Sequence, residues 1–345
     1  MRERSAGRYL GVDLHHDSFV VCVRSEKGQQ WRRWKMEEIA DFVSHLEPGD
    51  AVAVEATGNT RWFCRQLAER VGRMVVVNPH QFRVISQSVK KTDRRDAALL
   101  AEYLEKDLLP EVRVKTDQES EVAQLAASRD QLVKMRTMLK NQVHGLLRSH
   151  GVLVGKQQLA SRKGQRQLAQ IPLPGLASLQ RQVLLQQIAT LTDSILQLEK
   201  ALAEAARQMP GYANLRSIKG IGSLSAAVLL SSIGRVEDFA DAGKLAAYFG
   251  LVPRIEQSNQ KQHSGRITRC GNKRVRTALV QCALIANRYS PFLKNFYQAI
   301  QRRRGSGKAI IATARKLLTI VYYTLKNNWV FDDFGSFVLA ETPRC

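Results

Sequence analysis

Tyr9-Leu10-Gly11-Val12-Asp13 and Phe19-Val20-Val21-Cys22-Val23 read as strands, and the first decides the fold because an apolar run closes on a carboxylate. Outward from it, Ala51-Val52-Ala53-Val54-Glu55 and Met74 to Val77 are short apolar runs of the kind buried inside a sheet. Thr60 to Val71 and Thr92 to Glu105 carry helical spacing. Strands alternating with helices predict an α/β domain over residues 1–112, a mixed sheet with helices on its faces.

The period changes after residue 112. Val122, Leu125, Leu132, Leu139, Val143 and Leu146 fall on a helical seam that also carries Arg129 and Arg136. Leu184, Ile188, Leu191, Ile195, Leu198, Leu202 and Ala205 repeat that seam more cleanly. The basic stretch Arg148 to Gln170 and the prolines Pro172 and Pro174 separate the two. Residues 113–207 therefore predict a coiled-coil helical hairpin, suited to joining subunits, with basic residues open to RNA or DNA. Residues 208–345 read as mostly helical: Leu215 to Gly234 as helix, turn and helix, then Leu279 to Tyr289 and Ala309 to Leu325, with Arg302 to Lys308 as a basic loop.

At 345 residues, 44% hydrophobic with 22 Gly and 9 Pro, the chain is long enough for more than one core, and collagenous and disordered classes are excluded. Fifty-three basic against 31 acidic side chains give +22, a field that draws a polyanion and points to nucleic acid. That charge is uneven: residues 1–112 carry +1, 113–207 carry +7 and 208–345 carry +14. Most carboxylates thus sit in the first third, where holding a cation is a use for them. Cys22, Cys64, Cys270, Cys282 and Cys345 form no Cys-x-x-Cys pair, which favours a reducing compartment over a zinc ribbon or disulfide scaffold. No run reaches the roughly 18 apolar residues of a membrane span, and the first residues hold no apolar signal core, so a soluble cytoplasmic protein is expected.

Two constellations carry chemistry. Asp13 and Glu55 each close a strand, where a carboxylate is costly unless hydrated, paired or bound to a cation. Asp93 and Asp96, three apart, share one face of a helix that Thr92 is placed to cap. An aspartate in a first helical turn also favours the helix dipole with no metal involved. In this order and on these elements, however, the four predict an RNase H-like core holding one or two Mg²⁺ ions, which polarise a scissile phosphate and activate an attacking hydroxyl. Lys90, Lys91, Arg94 and Arg95 stand beside them as phosphate contacts or as a solvated helix face.

The second constellation runs from Gly250 to Arg276. Arg254, Lys261, Arg266, Arg269, Lys273, Arg274 and Arg276 face a single acid, Glu256, so the stretch is built to grip phosphate. A serine among guanidiniums can serve as nucleophile in phosphoryl transfer, although loop serines are more often structural. Ile218-Lys219-Gly220-Ile221-Gly222 is similar to the turn of helix-hairpin-helix DNA binders, whose glycine amides meet backbone phosphate; a plain interhelical turn reads the same way. Gly305-Ser306-Gly307-Lys308 is P-loop-like only in part, with Arg302 in place of the first glycine and Ala309 in place of Ser/Thr, so ATP use is not expected.

Gly-Val-Asp13, Glu55-Ala-Thr-Gly, Lys-Thr-Asp93-x-x-Asp96-Ala, the Ile218 to Gly222 turn and Gly-Leu-Val-Pro…Ser…Gly-Arg-Ile-Thr-Arg-x-Gly-Asn…Arg together resemble the DEDD-type transposases of the IS110 group, the bridge-RNA-guided recombinases. The resemblance spans nearly the whole chain. It implies a RuvC-like N-terminal domain, a coiled coil and a C-terminal transposase domain with a catalytic serine. It implies a non-coding RNA that pairs with donor and target DNA, and strand exchange through a covalent 5′-phosphoserine and a Holliday junction; a homo-oligomer, dimer or tetramer, is expected from the helical hairpin. Carried over by position, the carboxylates are Asp13, Glu55, Asp93 and Asp96, and the serine is Ser258, counted from Pro253 forward and from Ile267 back. The family commonly has glycine after that serine. Here Asn259 comes next and Ser264-Gly265 lies six residues on, so Ser264 stays open as the alternative. A metal-dependent nuclease or junction resolvase is the competing function.

Overall fold

Alternation within Leu10-Gly11-Val12-Asp13-Leu14 sets the sheet: the leucines and Val12 bury on one side, while Gly11 and Asp13 face the other. The computed structural model describes residues 7–79, 82, 92–155, 157–258 and 261–330, with the backbone alone at 255–258 and 261–264. The chain forms two compact units, one ending at Val114 and the other beginning at Lys115.

In the first unit the elements run β1 (Tyr9–Leu14), β2 (Ser18–Ser25), β3 (Gly28–Lys35), α1 (Ile39–Ser44), β4 (Ala51–Glu55), α2 (Thr60–Leu67), β5 (Arg73–Val77) and α3 (Asp93–Glu105). The five strands order as β3-β2-β1-β4-β5. The first three pair antiparallel, and β1, β4 and β5 pair parallel. One face buries Leu10, Val12, Phe19, Val21, Val52 and Val54 against Phe42 and Phe63 of α1 and α2. The other face buries Val20, Cys22, Ala53, Val75 and Val77 against Ala97, Leu100, Ala101 and Leu104 of α3. A sheet covered on both faces needs strands that are apolar throughout, which β1, β4 and β5 supply.

The close seat of α3 depends on Gly11. A Cβ built there would stand 2.0 Å from the Ala97 carbonyl oxygen and 2.5 Å from the Ala101 amide, both rigid backbone. Gly11→Val is expected to destabilise this unit by about 3 kcal/mol, the upper range for overpacking. Thermal melts of the two proteins, followed by circular dichroism, check this.

The second unit holds two 33-residue helices, α4 (Asp117–Ser149) and, after the short α5 (Arg162–Ala169), α6 (Gly175–Arg207). They run antiparallel. Arg129 donates to Glu199 and Arg136 to Thr192, so one helix advances as the other retreats. The hairpin's far end buries Val143, Leu147, Leu184, Leu185 and Ile188 with Leu159 and Leu168. Its base buries Val122, Ala126, Leu202 and Ala206 among the C-terminal helices, so the hairpin and those helices share one core.

That core is organised around α8 (Ser223–Ile233), reached through α7 (Tyr212–Ser217) and buried from Ala226 to Ile233 on every side. Around it pack α9 (Ala242–Tyr248), α10 (Lys273–Tyr289), α11 (Pro291–Arg304) and α12 (Ser306–Lys326). Two strands, β6 (Pro253–Ser258) and β7 (Lys261–Ile267), pair antiparallel between α9 and α10. The expected basic loop at Arg302 to Lys308 is instead the end of α11 and the start of α12, with only Gly305 between them at φ 79°. Among the described residues no helix is long and apolar enough to cross a membrane.

Candidate active site

β1 and β4 are parallel neighbours, with Val12 beside Val54, so Asp13 and Glu55 are the next residues at the C-terminal edge of the sheet. Period two puts both on the side of Gly11 and Ala53, the face that α3 covers. The first turn of α3 carries Asp93 and Asp96, and Thr92 caps it by accepting from the Arg95 amide at 3.3 Å. Strand parity and helix capping thus bring all four carboxylates to one side of the sheet.

Within that set a tighter group forms. Ligand atoms of Asp13, His15 and Asp93 lie within 4.8 Å of one another. His15 Nε2 is 3.3 Å from Asp13 Oδ2 and 3.5 Å from Asp93 Oδ1. Arg33 of β3 pairs with the other oxygen of Asp93, and the Trp31 indole donates to the Arg94 carbonyl at 3.3 Å. Asn59 Nδ2 donates to the His15 carbonyl at 2.7 Å, tying the loop after β1 to the loop after β4. Glu55 and Asp96 share the face but lie outside the trio, and Asp96 is only 4% exposed. Two carboxylates and an imidazole within such reach are a donor set that a divalent cation fits, the carboxylates being the hard oxygen donors. His15 escaped the sequence reading because a histidine just past a strand carries no spacing signal of its own.

The basic constellation is a β-hairpin rather than a loop. Ser258 pairs with Lys261 at its outer end and Ser264 pairs with Ile255 along it; their side chains, and that of Lys261, lie outside the described residues' side chains, and Lys90 and Lys91 lie outside the described residues altogether. Arg254, Arg266, Arg269 and Lys273 are exposed, as are Arg94 and Arg95 in the first unit. Arg274 and Arg276 are half-buried and also bond within the protein. Arg274 donates to Asp130 of the hairpin helix α4 at 2.6 Å. Arg276 donates to the carbonyls of Phe249, Cys270 and Gly271 at 3.0, 2.6 and 3.1 Å. Burial, then the neighbouring Arg269, lowers the Arg276 pKa from its ordinary value.

Gly220 also has a packing reason. At φ 110° its Cα faces α10, where a Cβ would stand 2.9 Å from the Cys282 carbonyl. Gly222 is exposed at the N-cap of α8.

These assignments separate two kinds of arginine. Arg266→Ala and Arg269→Ala are expected to reduce the salt slope of DNA binding by about 0.9 per lost phosphate contact. Arg276→Ala should instead lower stability by about 1–3 kcal/mol, because three carbonyls lose their donor. Fluorescence anisotropy across a salt series, with melting curves beside it, distinguishes the two.

A carboxylate-edged α/β unit and a helical unit bearing a basic hairpin define a nucleic-acid-processing enzyme. Residues 212–298 match the transposase IS116/IS110/IS902 family, and residues 10–151 match the DEDD transposase family of IS110. The chain is 28% identical to the transposase for insertion sequence element IS1111A of Coxiella burnetii, over 92% of this chain and 89% of that one. It is 29% identical to a probable family 20 transposase of Pseudomonas aeruginosa, covering 91% and 92%. It is 30% identical to the pilin gene-inverting protein of Moraxella bovis, covering 94% and 97%. The chain belongs to the IS110 group of insertion-sequence transposases, and its activity is that of a DNA transposase and recombinase.

Proposed function

We propose that this transposase cuts and exchanges DNA strands under the direction of a non-coding bridge RNA, using the carboxylate edge of an RNase H-like (RuvC-type) domain and Ser258 as nucleophile. The observation that carries the reading is the gathering of Asp13 and Asp93 within 4.8 Å of a common histidine, on the side of the sheet that Glu55 also faces and that the helix of Asp96 covers. Asp13 and Asp93 would hold Mg²⁺, with Glu55 and Asp96 completing the site. Such an ion, when bound, polarises the scissile phosphate and assists ionisation of the attacking hydroxyl.

In the serine step, Oγ of Ser258 attacks phosphorus and the bond to the 3′ oxygen breaks. The 3′ hydroxyl leaves carrying the proton, and the 5′ phosphate stays on the enzyme as a phosphoserine ester. Exposed Arg254, Arg266, Arg269 and Lys273 on and beside the hairpin support this, because they can bind the backbone and offset charge that develops on the phosphate. The excess of positive charge after residue 112 suits the double demand of donor and target DNA with RNA. The relative named for inverting a pilin gene supports conservative exchange, in which the ester preserves the energy of each broken bond.

Assembly as a homo-oligomer fits the hairpin, whose inner seam is filled within the chain while Leu176, Leu179 and Val183 remain exposed along one face of α6.

A second reading has its own support: the Asp13, His15 and Asp93 trio is complete within residues 10–105 and could serve a hydrolytic nuclease or junction resolvase. Trapping decides. Labelled DNA that migrates with the protein in denaturing gels supports the recombinase, and complete cleavage without an adduct supports the hydrolase.

A further inference from the structure

The carboxylate face is one side of the sheet edge, and a cavity opens on the other. Leu14, the residue after Asp13, points opposite to it and forms the cavity floor with Met36. The loops after β1 and β4 make the rim through His15, Gly58 and Asn59, and Trp62 of α2 makes a wall. The volume is about 530 Å³, and the cavity is a shallow one, widely open to solvent.

Three features describe what enters. His15 belongs to both the cavity lining and the metal-competent trio, so one residue stands between the cavity and the candidate cleavage centre. Trp62 is 42% exposed, although its neighbours Phe63 and Cys64 are buried in the core; its ring is presented to the solvent side. The rim is also held in place by its own bonds: Thr57 donates to Asn59 Oδ1 at 2.9 Å, and Asn59 Nδ2 donates to the His15 carbonyl. A rigid rim with an exposed aromatic wall suits a flat, weakly polar group, and its amide is already engaged rather than aimed at a particular hydrogen-bond pattern.

We propose that this cavity receives the DNA base adjoining the scissile phosphate, unstacked from its neighbours, with Trp62 as the stacking platform. The inference rests on the carboxylate edge being the cleavage centre. A strand laid across that edge with its phosphate over Asp13 carries the adjoining base past Leu14 to the tryptophan side. Stacking on an aromatic ring accepts any base, so the cavity supplies affinity and strand placement while sequence choice lies elsewhere.

The test uses the full chain carrying Asp13→Asn, assembled with the element's RNA and with DNA holding 5-iododeoxyuridine at one position at a time around the cleaved phosphate. Irradiation is expected to cross-link Trp62 from one or two positions adjoining that phosphate and from no others, as mapped by mass spectrometry. Trp62→Ala should remove the cross-link and weaken DNA binding on the order of 10- to 100-fold, the range for loss of one stacked base. Gly58→Val should reduce both while leaving the tryptophan in place, since Gly58 lines the cavity and a Cβ there meets nothing within 4 Å. Cross-links from those positions that map away from Trp62, or Trp62→Ala and Gly58→Val proteins that bind as tightly as the parent, would overturn the proposal. Because the readouts are binding and cross-linking, they stand apart from catalysis: cleavage that survives Asp13→Asn sinks the carboxylate reading without altering where the base is found.

Discussion

Asp13→Asn is expected to lower strand cleavage by about 10³-fold or more while leaving DNA affinity within about threefold, because on the proposed reading it removes charge from a cation ligand and touches no phosphate grip. Asparagine keeps the size of the side chain, and Gly11 two residues earlier keeps α3 in its seat, so the fold survives. Asp93→Asn should act alike through the same trio, and it additionally releases Arg33. Glu55→Gln and Asp96→Asn test the wider set: they share the face but not the trio, and an equal loss would make all four one site. His15→Ala should cost about 10- to 100-fold, the usual effect of removing a group that orients or completes a metal site. Cleavage of labelled element ends in Mg²⁺, with binding measured in parallel, gives these numbers. If any two of the four carboxylate variants kept near-parental cleavage, the shared-site reading would fail.

How far the sequence revealed this arrangement differs from element to element, for physical reasons. Ala51 to Glu55 is a strand with those bounds, and Thr92 caps the helix that begins at Asp93, because apolar runs and capping side chains are local signals. β3 was not legible. Gly28-Gln-Gln-Trp-Arg-Arg-Trp-Lys35 is an edge strand exposed at all positions but Trp34, so no alternation of apolar residues marks it; its arginines and lysine suit an unpaired edge. The hairpin from Pro253 to Ile267 hid for a similar cause, since its polar and basic residues read as a loop by composition.

The seam of the long helices is legible in part: Val122, Val143, Leu184, Ile188, Ile195 and Leu202 are buried, but Leu147 and Ala206 are buried in place of Leu146 and Ala205, and Arg129 and Arg136 lie in the same seam. The partners of these arginines, Glu199 and Thr192, are not legible, because they come from the other helix. The same limit explains the site. The elements that carry the four candidate carboxylates are legible one by one, but the gathering of Asp13 and Asp93 around His15 depends on strand parity and on the helix covering the sheet, both long-range facts. Arg274 and Arg276 look in sequence like Arg266 and Arg269, and the acceptors that hold them, Asp130 and the carbonyls of Phe249, Cys270 and Gly271, are not legible in a charge count.

Ser258→Ala is expected to abolish both cleavage, by roughly 10³-fold or more, and the covalent protein–DNA species, whereas Ser264→Ala should keep both within about fivefold. The two serines sit on one hairpin, Ser258 opposite Lys261 at its outer end and Ser264 opposite Ile255 along it. Melting curves of both variants, run beside the assay, separate a loss of chemistry from a loss of folding. A serine ester forms only when Oγ attacks phosphorus and the 3′ oxygen departs; without that oxygen there is no adduct to reverse and no conserved bond energy for rejoining to a new partner. Ser258→Cys supplies a nucleophile of different size and acidity, and a trace of adduct with it would place the attacking atom at that position. Denaturing electrophoresis of end-labelled DNA after incubation with each protein reads all three variants at once. An adduct that persists in Ser258→Ala and vanishes in Ser264→Ala would move the nucleophile to Ser264. Cleavage that persists in both without any adduct would leave a carboxylate-dependent hydrolase.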